Sequence, residues 1–207
     1  MYLVKTPFWL RALYPSCTWK MLGTEKVIYL SFDDGPHVDA TPFVLAELKK
    51  YNAKACFFCI GKNVAAHKNL YEQILHEGHT VGNHTYDHVN GWKTNTAHYI
   101  ENIELAGKLI QSNLFRPPYG RITKSQIQKI KADKTLPQKI IMWDVLSGDF
   151  DLSLTAESCI KNIIKNTVAG SIVVFHDSAK AFERLKIALP RILAHFTALG
   201  YTFEAIQ

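Results

Sequence analysis

Residues 31–36 read Ser-Phe-Asp-Asp-Gly-Pro and follow the apolar run 27–30. Two adjacent carboxylates, Asp33 and Asp34, repel one another, so the end of a buried strand gains little stability from them. They become useful beside a cation. One carboxylate binds the metal, the other accepts a proton from water, and the metal's charge offsets the repulsion. Further on, His84-Thr-Tyr-Asp-His88 sets two imidazoles four residues apart. On a helical turn that spacing puts both on one side, where they can grip one ion. A zincin would carry Glu directly after the first His. Here it is Thr85, so the general base must come from elsewhere. Two histidines and one carboxylate with positions left for water describe a catalytic zinc site rather than a closed structural one. Asp34 is the natural third ligand, although the residues alone leave open which aspartate takes which role.

The elements that must position these groups alternate along the chain. Extended apolar runs cover 27–32, 55–60, 79–82, 114–116, 139–143, 171–175 and 201–206. Helical spacing covers 41–51, 70–77, 94–112, 123–131, 155–166 and 182–199. About seven βα steps with parallel crossovers give an α/β fold, either a doubly wound sheet or a barrel. The uniform alternation favours a barrel of about seven parallel strands with outer helices. In both architectures functional groups gather at the C-terminal ends of the strands. Five clusters fall there: Asp33-Asp34, His84 with His88, Arg116 with Tyr119, Asp144 with Asp149, and His176-Asp177. Any one of them alone reads as turn or cap residues. Together they place acid, base and ligand chemistry on one rim.

The remaining features narrow the classes. The chain has 207 residues, 47% hydrophobic and 20% charged, which suits one soluble domain. The net charge of +6 comes from dispersed lysines and reads as solvated helix faces. No arginine-rich patch interleaved with aromatics points to nucleic acid. Cys56 and Cys59 lie three apart in an extended run and so face opposite ways. They, Cys17 and Cys159 read as small buried hydrophobes. No apolar run is long enough for a transmembrane segment. Residues 1–23 are interrupted by Lys5, Pro7 and Arg11, which argues against a signal peptide. They read as an apolar extension packed on the body, with weak membrane-surface anchoring as the alternative. The expected location is therefore cytoplasmic or membrane-associated, with action outside the cytoplasm left open. Trp92 and Tyr86 are candidates for stacking on a sugar ring, with core or loop packing as the alternative.

SFDDGP, NHTYDH, RPPYG, WDVLSGDF and IVVFHD, in this order and spacing, closely resemble the five motifs of the polysaccharide deacetylase family. This is the NodB-homology domain, or carbohydrate esterase family four. The resemblance spans residues 24–207 and implies a distorted (β/α) barrel that removes acetyl groups from carbohydrate. The implied cofactor is a divalent metal, commonly Zn2+, with Co2+, Mn2+ or Ni2+ as alternatives. By the same resemblance Asp33 is the catalytic base, and Asp34, His84 and His88 are the metal ligands. Arg116 orients the base, and the Tyr119 backbone N–H helps hold the oxyanion. Asp149 supports both Arg116 and the acid His176. Phe150 and Val174 stand where the family usually carries Trp and Leu, at positions that line the acetyl pocket or its approach. The implied substrate is an N-acetylglucosamine polymer or oligomer of chitin or peptidoglycan type. O-acetyl esterase action on xylan-type glycans and, from another class, a non-catalytic carbohydrate-binding relative are the alternatives. The two-histidine, one-carboxylate set by itself also describes a non-haem iron oxygenase, against which the βα alternation and the Asp pair count.

Overall fold

The computed structural model describes residues 2–23 and 25–207. The elements run α1 (Phe8–Leu13), β1 (Cys17–Thr18), β2 (Val27–Asp33), α2 (Ala40–Lys50), β3 (Ala55–Cys59), α3 (Gly61–Ala66), α4 (Lys68–His76) and β4 (Thr80–Asn83). They continue with α5 (Thr96–Gly107), β5 (Leu114–Phe115), a 3-10 turn (Pro118–Gly120), α6 (Lys124–Ala132), β6 (Lys139–Ile141) and β7 (Val145–Leu146). The chain closes with α7 (Ala156–Asn166), β8 (Ile172–His176), α8 (Ala179–Ala198) and β9 (Thr202–Phe203). The strands are parallel, in the order β1-β6-β5-β4-β3-β2-β8-β7, with β9 joining β2 separately. This is the distorted (β/α) barrel. All seven expected strands are present, and β1 and β7 are added. At two residues each, these are too short to carry an alternation pattern.

Each long strand divides its residues between two layers. Ile28, Leu30 and Phe32 of β2 join Phe57 and Phe175 in the core between sheet and helices. Phe32 stacks on Phe57 at 5.1 Å and on Phe175 at 5.9 Å. The alternate residues face the barrel interior, where Cys56, Phe58 and Ile172 form a second cluster. Cys56 and Cys59 accordingly sit in different clusters, and all four cysteines are free and buried. Ser31 and Asp33 lie on the interior face with a fully buried arginine, Arg116.

The helices start where side chains satisfy their first amides. Asn95 caps α5, Thr123 and Gln126 form a capping box on α6, and Thr155 caps α7. The expected helix over 94–112 stops at Gly107. Beyond it, the Ser112 hydroxyl donates to the Val81 carbonyl and accepts from the Leu114 amide, drawing the chain into β5. Residues 84–88 contain no helical turn. They form a loop with left-handed φ at Thr85 (61°) and His88 (58°), so the expected helical mechanism for joining the two histidines is replaced by loop geometry. No helix among the described residues is long and apolar enough to cross a membrane.

The strand path does not close on itself. At its β7 end the N-terminal residues run antiparallel to the chain at 144–146. Thr6 donates to the Asp144 carbonyl, and Leu146 donates to that of Val4. Asp144, fully buried, accepts from Lys5 at 2.7 Å, from Ser171 at 2.5 Å and from Arg11. Asp144 therefore fastens the N-terminal segment, rather than joining the other acidic groups at the rim.

Candidate active site

The register of the sheet brings distant residues together. Asp33 at the end of β2 pairs directly with His176 at the end of β8. Asn83 of β4 pairs with Phe115 of β5, which sets His84 beside Arg116. The Arg116 amide donates to the Asn83 carbonyl at 3.0 Å.

After Asp33 the chain turns sharply. Asp34 has φ 80°, which separates the directions of the two carboxylates. Asp177 stabilises the turn, accepting from the Gly35 amide at 3.1 Å and from the Thr41 hydroxyl at 2.5 Å. A Cβ at residue 35 would lie 2.1 Å from the Asp177 carboxylate, so only glycine permits this approach. Burial pushes the Asp177 carboxyl up to about 8, with the Asp34 charge adding to the rise and the Thr41 hydrogen bond opposing it. The sequence offered Asp177 only as a turn residue or a participant. The structure gives it the turn that carries Asp33 and Asp34.

Asp34, His84 and His88 converge, with one potential ligand atom from each lying within 4.8 Å of the others. Asp34 Oδ1 lies 3.7 Å from His84 Nε2 and 3.2 Å from His88 Nε2. That oxygen is buried and accepts no hydrogen bond among the described residues. A buried carboxylate oxygen without a donor is costly, and a cation facing it and both imidazoles removes the cost. His84 Nδ1 lies 2.8 Å from the Arg116 carbonyl. A proton on Nδ1 satisfies that contact and leaves the Nε2 lone pair toward the Asp34 oxygen, as metal ligation requires. Burial pushes His84 down to about 4, against the charge of Asp33, so the ring is neutral at pH 7. Burial alone would raise the Asp34 carboxyl. The close approach of the His88 ring and the charges of His176, His84 and His88 outweigh it and hold the group well below the usual carboxylate range. The donor set fits a divalent cation.

Asp33 is held by Arg116. Nη1 donates to its Oδ1 at 2.6 Å and to the Ser31 hydroxyl at 2.8 Å. Nε and Nη2 donate to the carbonyls of Ile141 at 3.2 Å and Met142 at 3.0 Å, and the guanidinium lies over the Phe58 ring at 4.0 Å. The arginine is thus satisfied on every nitrogen. Ser31, a functional neighbour that the sequence reading missed, shares its strand face with Asp33. The period of two was the signal for it.

On the opposite flank, Asp149 Oδ1 lies 2.8 Å from His176 Nδ1, and its Oδ2 accepts the His176 amide at 2.8 Å. Burial pulls the imidazole down, but the Asp149 charge and hydrogen bond override it and push His176 up to about 9. The resemblance implied that Asp149 also supports Arg116. Among the described residues the two make no hydrogen bond. The Ile141 and Met142 carbonyls fill the space around the arginine, and Asp149 spends its oxygens on His176 and Ser147.

Of the remaining candidates, Tyr119 is 60% exposed with φ 60°, and its ring lies 4.5 Å from that of His88. Phe150 meets the His176 ring edge-on at 5.0 Å. Val174 is fully buried in β8, two residues before His176. Asn102 was missed: its side-chain oxygen accepts from the amides of Tyr86 and Asp87 and shapes the histidine loop from α5.

Comparisons with known proteins identify the family. The family model described as Polysaccharide deacetylase matches residues 20–135. A peptidoglycan-N-acetylglucosamine deacetylase of Bacillus cereus is 34% identical over 92% of this chain and 91% of its own length. A chitooligosaccharide deacetylase of Azorhizobium caulinodans is 31% identical over 79% of this chain and 80% of its own. Some relatives are longer, and the chain spans 39% of one from Listeria monocytogenes. The crystal structure of the Bc1960 peptidoglycan N-acetylglucosamine deacetylase, bound to an N-hydroxybenzamide, superposes with a TM-score of 0.84. It is 30% identical, over 97% of this chain and 95% of that one.

Proposed function

The chain belongs to the polysaccharide deacetylase family, and from that premise we propose that it hydrolyses the acetamide of N-acetylglucosamine residues in a peptidoglycan-type glycan, using zinc or a similar divalent ion. One observation carries the reading. A buried, undonated Asp34 oxygen faces two imidazole nitrogens, with an arginine-held carboxylate and a carboxylate-held imidazole at the neighbouring strand ends.

When bound, a divalent cation at Asp34, His84 and His88 polarises an acetyl carbonyl and lowers the pKa of adjacent water. Asp33 has one oxygen occupied by Arg116, which leaves the other to accept a proton as water attacks the carbonyl carbon. The Tyr119 backbone N–H offers a donor for charge developing on the carbonyl oxygen, a contact typically worth about 3 kcal/mol. His176, with Nδ1–H directed to Asp149, carries its second proton on Nε2. It delivers that proton to the nitrogen as the C–N bond breaks, so the products are acetate and a free amine. An amide needs this proton because an amine anion leaves poorly, and an imidazole at about 9 is charged and ready at neutral pH.

The test is acetate release from peptidoglycan fragments and from N-acetylglucosamine oligomers, after chelation and after zinc is restored. The expected result is release that depends on the metal and falls by roughly 10^3 in Asp33→Asn. Release that survives chelation, or full activity in that variant, overturns the assignment.

A further inference from the structure

Two loops leave the metal cluster side by side, and each carries an aromatic ring into solvent. Tyr119 lies on one. On the other, four residues beyond His88, Trp92 is 61% exposed. Four residues of chain reach at most about 14 Å, so the indole sits within range of sugars next to the one being deacetylated.

Trp92 is fixed rather than loose. Its Nε1 donates to the Ile122 carbonyl at 3.2 Å, and the Arg121 guanidinium lies over its ring at 5.1 Å. Its amide donates to the Asn90 side chain at 3.0 Å. Gln126, buried in α6, donates to the carbonyls of Gly91 at 2.9 Å and Thr94 at 3.2 Å. A Cβ at residue 91 would lie 2.3 Å from the Arg121 carbonyl oxygen, so glycine is what lets the two loops touch. Fixing a large apolar ring while leaving it in water gains the fold little burial. The same arrangement suits a stacking partner whose ring has an apolar face and a polar edge.

The charges around the ring specify the partner further. Arg121 lies on one face of the indole, and Lys93 follows it in the chain. Neither meets a carboxylate at ion-pair distance among the described residues. Acids elsewhere on this rim are already engaged: Asp33 by Arg116, Asp149 by His176, and Asp87 by Asn102.

We infer that Trp92 and Arg121 form a subsite for the sugar neighbouring the reacting one, where the indole stacks on the ring and the guanidinium pairs with a carboxylate the neighbour carries. The inference rests on the proposed deacetylase function and deepens it. Glycans of N-acetylglucosamine alone are neutral. The alternate sugar of peptidoglycan carries a lactyl carboxyl, which is a free carboxylate wherever the stem peptide has been removed. The subsite therefore favours the alternating, anionic glycan over the uniform, neutral one.

The experiment uses the Asp33→Asn protein with zinc, which leaves substrates intact. Calorimetry measures its binding of an N-acetylglucosamine tetramer and of a peptide-free tetrasaccharide alternating N-acetylglucosamine with N-acetylmuramic acid. The alternating glycan should bind more tightly. Adding Arg121→Gln should weaken that glycan roughly fivefold, the scale of one partly exposed charge pair, and remove the preference. Adding Trp92→Ala should weaken both glycans about tenfold, the scale of one aromatic contact. Equal effects of Arg121→Gln on the two glycans, or unchanged binding in Trp92→Ala, overturn the subsite. Acetate release by the unmodified protein is scored separately. Its absence with the binding pattern intact sinks the deacetylase reading and leaves the subsite, and the opposite result sinks the subsite alone.

Discussion

The proton-accepting flank of the site is anchored inward, and the proton-donating flank is anchored outward. Asp33 draws its position from Arg116, which lies inside the barrel and is bound by Ser31 and the carbonyls of Ile141 and Met142. His176 draws its position from Asp149, on the loop after β7. Its exposed side is bounded by Phe150, which packs in turn on Tyr2 at 5.0 Å. An inward anchor costs much to alter, because every broken bond is buried. Asp149 is buried as completely as Arg116, and the two flanks differ in what backs the anchor: strand residues and carbonyls for Arg116, the loop after β7 for Asp149. The part of the chemistry that holds a carboxylate beside a cation is thus built into the sheet. The acid that meets the leaving group also ends a strand, β8, but its carboxylate partner and the ring beside it come from the loop after β7, backed by Tyr2.

Asp33→Asn tests the inward flank most severely. Asparagine preserves shape and still accepts from Arg116, but it cannot take a proton from water. The kcat for acetate release should fall by roughly 10^3, within the usual range for a lost general base, while zinc affinity by calorimetry stays within about twofold. A fall in metal affinity parallel to kcat would merge the two aspartates' roles and break the comparison.

Arg116→Met removes the anchor itself. Asp33, Ser31 and two carbonyls lose their donors, and a buried carboxylate is left without its counter-charge. Urea unfolding should show a loss of about 3–5 kcal/mol. A loss below 1 kcal/mol would mean that the barrel interior does not depend on this arginine.

Asp149→Asn tests the outward flank through pH. Asp149 is what holds His176 up at about 9 against burial. Without the carboxylate, burial is opposed only by the charges of Asp34 and Asp33, and the imidazole loses its proton at lower pH. The alkaline limb of kcat should therefore shift to lower pH by ~2 units or more, in matched zinc-loaded samples so that the metal's own field cancels. Stability follows the same sign. A folded pKa raised above the unfolded value of 6.5 stabilises the protein fully below that value, and the gain is lost as pH rises through about 9. That pH-dependent loss should vanish in the variant. Profiles that coincide would remove His176 as the acid.

Much of the inward flank was legible in the sequence. A run that alternates in and out fixes Asp33 on the interior face of β2, and strand-end placement brings Asp34, His84, His88 and His176 to one rim. What was not legible depends on contacts that no local pattern encodes. Asp144 and Asp149 stand five apart in one motif, yet one clamps the N-terminal segment and the other grips His176. The resemblance gave Asp149 to His176, but residue type alone does not separate the two, and the Asp144 clamp depends on the path of the N-terminal segment that carries Lys5 and Arg11. The histidine loop is similar. HxxxH spacing suggests a helical turn, but the Asn102 side chain takes the amides of Tyr86 and Asp87 and imposes an open loop. Helix α3 was missed because six residues cover under two turns, too few to show a period.

The smallest effect concerns the outermost link, where the Tyr2 hydroxyl donates to Asp151 at 2.9 Å and its ring backs Phe150. Tyr2→Ala removes one aromatic contact worth about 1 kcal/mol, so kcat/KM should fall roughly fivefold with the pH profile unmoved. Asp144→Asn acts on the same segment from the other end, by loosening Lys5 and Arg11. It should cost about 1–3 kcal/mol in urea unfolding and also lower kcat/KM, although Asp144 touches no reacting group. If residues 2–6 work as one strap, the double variant loses no more kcat/KM than the worse single one, because the second substitution releases a ring already released. Additive losses would mean that Tyr2 and Asp144 act separately. The outward flank would then rest on the Asp149–His176 pair alone, and the N-terminal segment would serve stability without reaching the chemistry.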